Sequence, residues 1–377
     1  MALSIKAKLN IIAREPAPII KPREEGVMEY AYDEPLSDAL NALDGCSLAR
    51  LGLDGQLHLD RAVFLDTETT GLGGAGSVAF LVGLGRADKK YFNIKQFLMT
   101  GYACESALLT AVADHLAGCD TLITFNGKCF DAPMLESRYT MCRMPDPLAH
   151  MRHLDIIYPS RRVWKLRLKK CDLKRLEEQI LGIAREGDLP GSEVPERYFK
   201  YLKSGDMALL NDVVRHNRLD VLSLGALLAR LCAIYNAPAE QSNLLDLFSM
   251  GRVMERQGER QEARKCYKLA ARGSPVCADN GISAMANYRL SLIHKRGGEL
   301  YQAEGIWRHL ADQRQMGALP LIELSKLYEH KHKDFARALD ATHRAMSRAN
   351  DENERQDICA RQRRLTLKIE RQAKMEE

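Results

Sequence analysis

The sequence predicts two domains of different class: an α/β domain with a mixed sheet flanked by helices over residues 61–236, and an all-helical domain over residues 243–377, with residues 1–60 as an N-terminal extension. Three observations carry this expectation. After residue 61, three apolar stretches follow one another with only tight turns between them, the pattern of consecutive strands. Helical and strand-like stretches then alternate to about residue 236, as they do where helices cover a sheet. After Asn236-Ala-Pro238 the strand signals fade and helical spacing takes over.

Taken in order, residues 1–60 carry prolines at 16, 18, 22 and 35 and read as an extended arm leading into a short helix. Ala62–Leu65 is an apolar run ending in Asp66, Val78–Leu84 is apolar around Gly83, and Tyr91–Leu98 alternates; these are the three strands. Glu105–Leu116 has helical spacing, Thr121–Phe125 is a short strand before the polar turn Asn126-Gly127-Lys128, and Phe130–Tyr139 returns to helix. His153–Ile157 reads as a further strand, and from Leu173 the apolar residues space as helices through Leu209–Val214 to Val221–Leu231. Three later stretches resemble one another: GERQEARKCYKLAA, GELYQAEGIWRHLA and HKDFARALDATHRAM. Each has an alanine (Ala263, Ala303, Ala338), then Tyr267, Trp307 or Thr342 four residues on, then Ala270, Leu310 or Ala345 three further. The alanines are 40 and 35 residues apart, a period that predicts paired helices in a tetratricopeptide-like array.

Composition narrows the class. At 377 residues the chain can build two full cores, and 46% hydrophobic with 28% charged residues describes a soluble globular protein. No apolar run reaches the roughly 18 residues of a membrane span, and the N-terminus has no signal-peptide pattern. The ten cysteines are scattered without a CxxC pair, which argues against a zinc finger or disulfide scaffold and suits a reducing, cytoplasmic setting. The net charge of +5 sits in the C-terminal part, where residues 243–377 hold 25 Lys and Arg against 19 Asp and Glu. That surplus reads either as solvated helix faces or as weak attraction to a polyanion.

Chemistry concentrates in three places. In FLDTETTGLGGAG, Asp66 and Glu68 sit two apart on a strand and therefore share a face, where two carboxylates repel unless a cation lies between them. Hard oxygen donors suit magnesium or manganese. The alternative for this stretch is a polar strand end before a flexible turn. Asn126 ends the next strand and Asp131 opens a helix five residues later, where it can equally serve as an N-cap before Ala132-Pro133. His216 and Asp220, four apart, share a helix face. Asp155 is a reserve acid, read first as ending a strand.

In this order the four acids resemble the DEDD 3′–5′ exonucleases of the ribonuclease H-like superfamily. Within them, FLDTETTGLGGAGSVAFLVGLG, TFNGKCFDAPMLESR, HLDIIYPSRRVWK and HNRLDVLSL look like the YprB-type (mitomycin repair factor B-like) domain, over roughly residues 60–232, with the helical repeats as that family's tetratricopeptide tail. The resemblance implies a metal-dependent exonuclease. Asp66, Glu68, Asp131 and Asp220 would hold two Mg2+ or Mn2+ ions, and His216 would be the general base for water attack on a phosphodiester. One departure is plain: histidine at position 216 stands at the His-to-Asp spacing usual for the family's tyrosine subclass.

In a nuclease setting, Gly71, Gly73 and Gly74 would admit the strand end and Asn126 would contact it. SRRVWKLRLKKCDLKR holds eight Lys or Arg against one Asp. From it Arg161, Arg162 and Lys165 would meet phosphates and Trp164 would stack on a base. The implied partners are DNA in preference to RNA and a protein docked on the repeats, a repair helicase among the candidates, with no membrane. The rival functions are an exoribonuclease and an inactive nucleic-acid-binding adaptor.

Overall fold

The structure is a computed structural model and describes residues 17–23, 26–71, 76–88, 90–272 and 281–376. The chain divides into two compact units, residues 1–237 and 238–377.

The first unit is built on one seven-stranded mixed sheet. Its strands are β1 (Ile19–Arg23), β2 (Val27–Pro35), β3 (Ala62–Thr69), β4 (Ala79–Ala87), β5 (Tyr91–Met99), β6 (Thr121–Thr124) and β7 (Arg152–Asp155), in the spatial order β1-β2-β5-β4-β3-β6-β7. The β1-β2-β5-β4-β3 side is antiparallel, and β6 and β7 extend it in parallel from β3. The first six residues of β4 are all buried, which is why its sequence reads as a continuous apolar run and not as an alternation. Five larger helices accompany the sheet: α1 (Glu105–Leu116), α2 (Asp131–Met141), α3 (Ile157–Leu168), α4 (Val194–Ser204) and α5 (Asn211–Asn236).

Residues 19–35, read from the sequence as part of an extended arm, supply two strands of this sheet. Glu34 on β2 is buried and ion-paired with the equally buried Arg218 of α5, whose guanidinium lies 4.7 Å from the Tyr32 ring centroid. The two helical stretches read around 209–214 and 221–231 are one continuous helix, α5. With its preceding turn, residues 207–236 are long and apolar enough to cross a membrane by length and composition, although charged residues interrupt the run. In the fold 78% of the most apolar stretch is buried, so α5 is the core helix against β3 and β4.

The second unit is all helical: α6 (Leu244–Arg256), α7 (Arg260–Ala270), α8 (Ile282–Arg296), α9 (Leu300–Asp312), α10 (Leu319–Leu327), α11 (Phe335–Met346) and α12 (Glu352–Glu376), each packed on its successor. The nine repeat positions on α7, α9 and α11 are all at most 1% exposed. Small residues on the preceding helices meet them. A Cβ on Gly251 would lie 2.6 Å from the Tyr267 ring, so only glycine admits that ring. Ser325 Oγ lies 2.9 Å from Thr342 Oγ1.

A buried carboxylate fastens the last helix. Glu329, on the wide turn Tyr328–His332, is fully buried and accepts hydrogen bonds from Arg361 at 2.8 Å, Arg364 at 3.0 Å and Lys368 at 2.8 Å. Burial alone would raise its carboxyl, but the Arg364 and Lys368 hydrogen bonds outweigh it and bring the group down to about 2. A folded-state value below the unfolded one stabilises above the unfolded pKa, and that stability is lost as pH falls toward about 2. Glu329→Gln is therefore expected to cost the helical unit about 2 kcal/mol at pH 7, with the cost shrinking below pH ~4.5. Urea melts of both proteins at pH 7 and pH 3 check this; an equal cost at both values would sink it.

Candidate active site

Asp66 and Glu68 lie on β3, where alternation sends both side chains to one face. A row of three paired positions crosses the sheet there: Asp66 on β3, Gly83 on β4 and Gln96 on β5. Asn217 of α5 sits on this row. Its Nδ2 donates to Asp66 Oδ2 at 2.8 Å, and its Oδ1 accepts from Gln96 Nε2 at 2.7 Å. A Cβ on Gly83 would stand 2.1 Å from Asn217 Oδ1, and one on Gly85 would stand 2.8 Å from Val221 Cγ1. Two glycines in an otherwise apolar strand thus let α5 approach the sheet closely enough to bring His216 and Asp220 to the acids of β3.

Asp131 is the first residue of α2 and is 9% exposed. The N-cap position belongs to Phe130, with no side-chain capping bond, and Asp131 Oδ1 accepts from Thr67 Oγ1 at 2.5 Å. The turn before α2 is shaped by Asp155, whose carboxylate accepts from the backbone N–H groups of Asn126 at 2.7 Å, Lys128 at 3.1 Å and Ile157 at 3.2 Å. Asn126 takes a left-handed backbone with φ of 66°. Asp155 is accordingly the residue that folds this turn.

His216 and Asp220 lie one turn apart on α5. His216 Nδ1 is 2.9 Å from Asp188 Oδ1, and Nε2 is 3.7 Å from Asp220 Oδ2 and 4.0 Å from Glu68 Oε1. Arg185, whose side chain is 3% exposed, holds Asp220 Oδ1 at 2.5 Å, Asp188 Oδ2 at 3.4 Å and the buried Glu177. Arg185 and Asp188 belong to GIAREGDLPG, a stretch without periodicity, so sequence patterning passed over them. Their only signal was opposite charges in a segment bounded by Gly and Pro. Asn217 was hidden as one more polar residue on a helix.

Crowding of acids sets the electrostatics. Asp66 is pushed well above the carboxylate range by burial first, then by Asp220, Glu68 and Asp131, against the Asn217 hydrogen bond. Glu68 is raised well above its usual value by burial, Asp220, Asp131 and Asp188, against Arg185. Asp131 is raised to about 6, chiefly by burial. Among the described residues no three His, Cys, Asp or Glu side chains are drawn into a closed metal cage. Carboxylates that repel one another do not close up by themselves, and Arg185 supplies positive charge to Asp220. The donor set, all oxygen apart from one imidazole and short of positive charge at Asp66 and Glu68, fits a hard divalent cation.

Asp66, Asn126 and Asp220 line a cleft of about 650 Å3, and Arg161, Lys165, Lys169 and Lys170 line it too. Two sequence expectations fail here. Trp164 is 1% exposed, because α3 turns Val163, Trp164 and Leu168 inward, so its ring packs the core and meets no base. Arg162 donates to the carbonyl of Leu51 at 3.3 Å and ties α3 to the N-terminal segment instead of facing the cleft. Gly71 is held by its carbonyl, which accepts from Thr69 Oγ1 at 2.6 Å. Gly73 and Gly74 lie outside the described residues.

The RNase_H superfamily model matches residues 63–232, from β3 through most of α5, and so spans Asp66, Glu68, Asp131, His216 and Asp220. Over 315 residues the chain is 33% identical to the uncharacterized protein YprB of Bacillus subtilis (strain 168), a match covering 81% of this chain and 74% of YprB. The chain belongs to the YprB family of the RNase H superfamily. At that length the YprB match includes part of the helical unit as well as the nuclease-type domain. Among solved structures, a match is found to the family B DNA polymerase from the hyperthermophilic archaeon Pyrobaculum calidifontis, at 14% identity and a TM-score of 0.37, covering 63% of this chain and 30% of the polymerase. This chain thus spans about a third of that polymerase, and so distant a likeness carries no argument about the YprB-family site.

Proposed function

We propose that this YprB-family chain is a divalent-metal-dependent 3′–5′ exonuclease that hydrolyses DNA in the course of repair. One observation carries the reading: carboxylates from β3, α2 and α5 converge beside a cleft that is also lined by Arg161, Lys165, Lys169 and Lys170. Asp66, Glu68, Asp131 and Asp220 would hold Mg2+ or Mn2+, which when bound supplies positive charge to the scissile phosphate and acidifies water.

The chain's own residues do the rest. With its Nδ1–H donated to Asp188, His216 presents the Nε2 lone pair on the side of Glu68 and Asp220, where it can take the proton of the attacking water. The water oxygen bonds to phosphorus, the P–O3′ bond breaks with its electron pair going to O3′, and O3′ takes up a proton from solvent, so that a 5′-mononucleotide leaves behind a new 3′-hydroxyl while His216 later returns its proton to solvent. Asn217 fixes the rotamer of Asp66, and Arg185 fixes Asp220. The His-to-Asp spacing is no obstacle in this geometry, since both side chains reach the same group of acids one turn apart on α5.

The test is a time course on matched end-labelled DNA and RNA, single- and double-stranded, with magnesium, manganese or chelator. The expected result is stepwise shortening from the 3′ end of DNA that stops with chelator. Digestion that survives chelator overturns the metal-dependent reading, faster digestion of RNA turns it to an exoribonuclease, and no digestion of either leaves an adaptor. Asp188→Asn is expected to lower kcat by about 10–100-fold with KM little changed, because an amide can present its NH2 to Nδ1 and reverse the imidazole's polarity. Asp188→Glu should recover part of the loss. An unchanged kcat removes the proton-acceptor role of His216.

For the helical unit we propose a tetratricopeptide-like array that docks a protein partner, such as a helicase that exposes strand ends. The burial of all nine repeat positions, with small residues on the facing helices, supports it.

A further inference from the structure

Trp164 is buried, yet α3 still presents an aromatic ring outward. Tyr158 is 40% exposed and stands one turn before Arg161, with Lys165 a further turn on and Lys169 at the helix end. Spacings of three and four residues place Tyr158, Arg161 and Lys165 in one stripe along the helix, and Lys169, with φ of 65°, caps its C-terminal end. Three of the four, Arg161, Lys165 and Lys169, line the cleft that also holds Asp66 and Asp220. The tyrosine end of the stripe lies toward the acids of α2: the Tyr158 hydroxyl is 3.6 Å from Cys129 Sγ, and the next residue, Phe130, is 50% exposed and directly precedes Asp131.

The geometry points to a track for single-stranded nucleic acid along α3, in which Tyr158 stacks on an unpaired base beside the acid site while Arg161, Lys165 and Lys169 follow the phosphates leading away from it. This rests on the nuclease reading above and adds the substrate class and the stacking residue. Two features favour a single strand. An exposed ring face can stack only on a base that has left its own helix. Cations spaced one helical turn apart, about 5–6 Å, can meet successive phosphates of one strand. The cleft, at about 650 Å3, has room for a strand end beside Asp66 and Asp220.

The experiment is equilibrium binding of the full-length chain to fluorescein-labelled oligo-dT and to a blunt duplex, with calcium and without magnesium or manganese. The single strand is expected to bind at least 10-fold more tightly. Tyr158→Ala should weaken that binding about 10-fold, Tyr158→Phe should keep it, and Arg161→Ala with Lys165→Ala should lower the slope of log Kd against log salt by about 1.4. An unshifted thermal midpoint shows that the Tyr158 variants fold. A Tyr158→Ala protein that binds like the wild type, or a duplex that binds as tightly as the single strand, overturns the track. Binding and hydrolysis fail separately: a wild type that releases nucleotides in magnesium with Tyr158 irrelevant keeps the exonuclease and loses the track. A wild type that binds through Tyr158 but never hydrolyses does the reverse.

Discussion

Asp66→Asn is expected to reduce nucleotide release by about 10³-fold or more while making the metal-free protein more stable at pH 8. The two effects have one cause. Burial and three neighbouring carboxylates raise the Asp66 carboxyl well above its usual value. A carboxyl raised in the folded state costs nothing below its unfolded pKa and costs progressively more as pH rises, since the folded chain must then lose a proton that it holds more tightly. Asparagine removes that charge and can still accept from Asn217, so the network around it persists. A midpoint raised by about 2–4 °C at pH 8, the shift that about 1 kcal/mol produces in a domain of this size, should disappear by pH 4. Manganese at 100 times its Kd should stabilise the wild type by about 2.7 kcal/mol and leave the variant almost unmoved. Thermal melts with and without manganese at both pH values test the set. A variant less stable than the wild type at pH 8 without metal would show that Asp66 is not under electrostatic strain.

Gly83→Ala, in contrast, should damage both stability and activity. The new methyl would stand 2.1 Å from Asn217 Oδ1, so α5 must shift or Asn217 must leave the row formed with Asp66 and Gln96. Overpacking of this kind costs about 1–3 kcal/mol. A shift of about 1 Å in His216 and Asp220 relative to β3 would cost about 10²-fold in rate. Adding Asn217→Ala should recover stability by removing the clash, but not activity, because Asp66 then loses its orienting donor. Urea melts and label release on the two single variants and the double variant close the cycle. A Gly83→Ala protein as stable as the wild type would mean that the strand and helix are not in contact through this glycine.

Local patterns made part of this legible. Three neighbouring apolar runs correspond to β3, β4 and β5, and Glu105–Leu116 is a helix over those same residues, because strand and helix periods are recorded within a few positions. The pairing of Asp66 with Glu68 on one strand face is equally local. Less local features were misread. Prolines around residues 16–35 argued for an arm, but Pro22 and Pro35 fall in β1 and at the end of β2, and β1 is an edge strand where a missing N–H is tolerated. Within SRRVWKLRLKKCDLKR, Arg161, Arg162 and Lys165 were read as phosphate contacts and Trp164 as a ring exposed for stacking. The helix instead turned Trp164 into the core, gave Arg162 to Leu51 and left Tyr158, outside the charged run, as the exposed ring.

The sequence by itself determined the succession of strands from β3 to β7, the change to helices after residue 236 and the carboxylate character of Asp66, Glu68, Asp131 and Asp220, since each depends on residue type and near-neighbour spacing. Only the tertiary structure decided which groups meet those acids. Asn217 reaches Asp66 across 151 positions, and His216 reaches Asp188 across 28. Both contacts depend on sheet order, on two glycines that admit α5 and on a loop without periodicity, and no local pattern records a distance between elements that are remote in the chain.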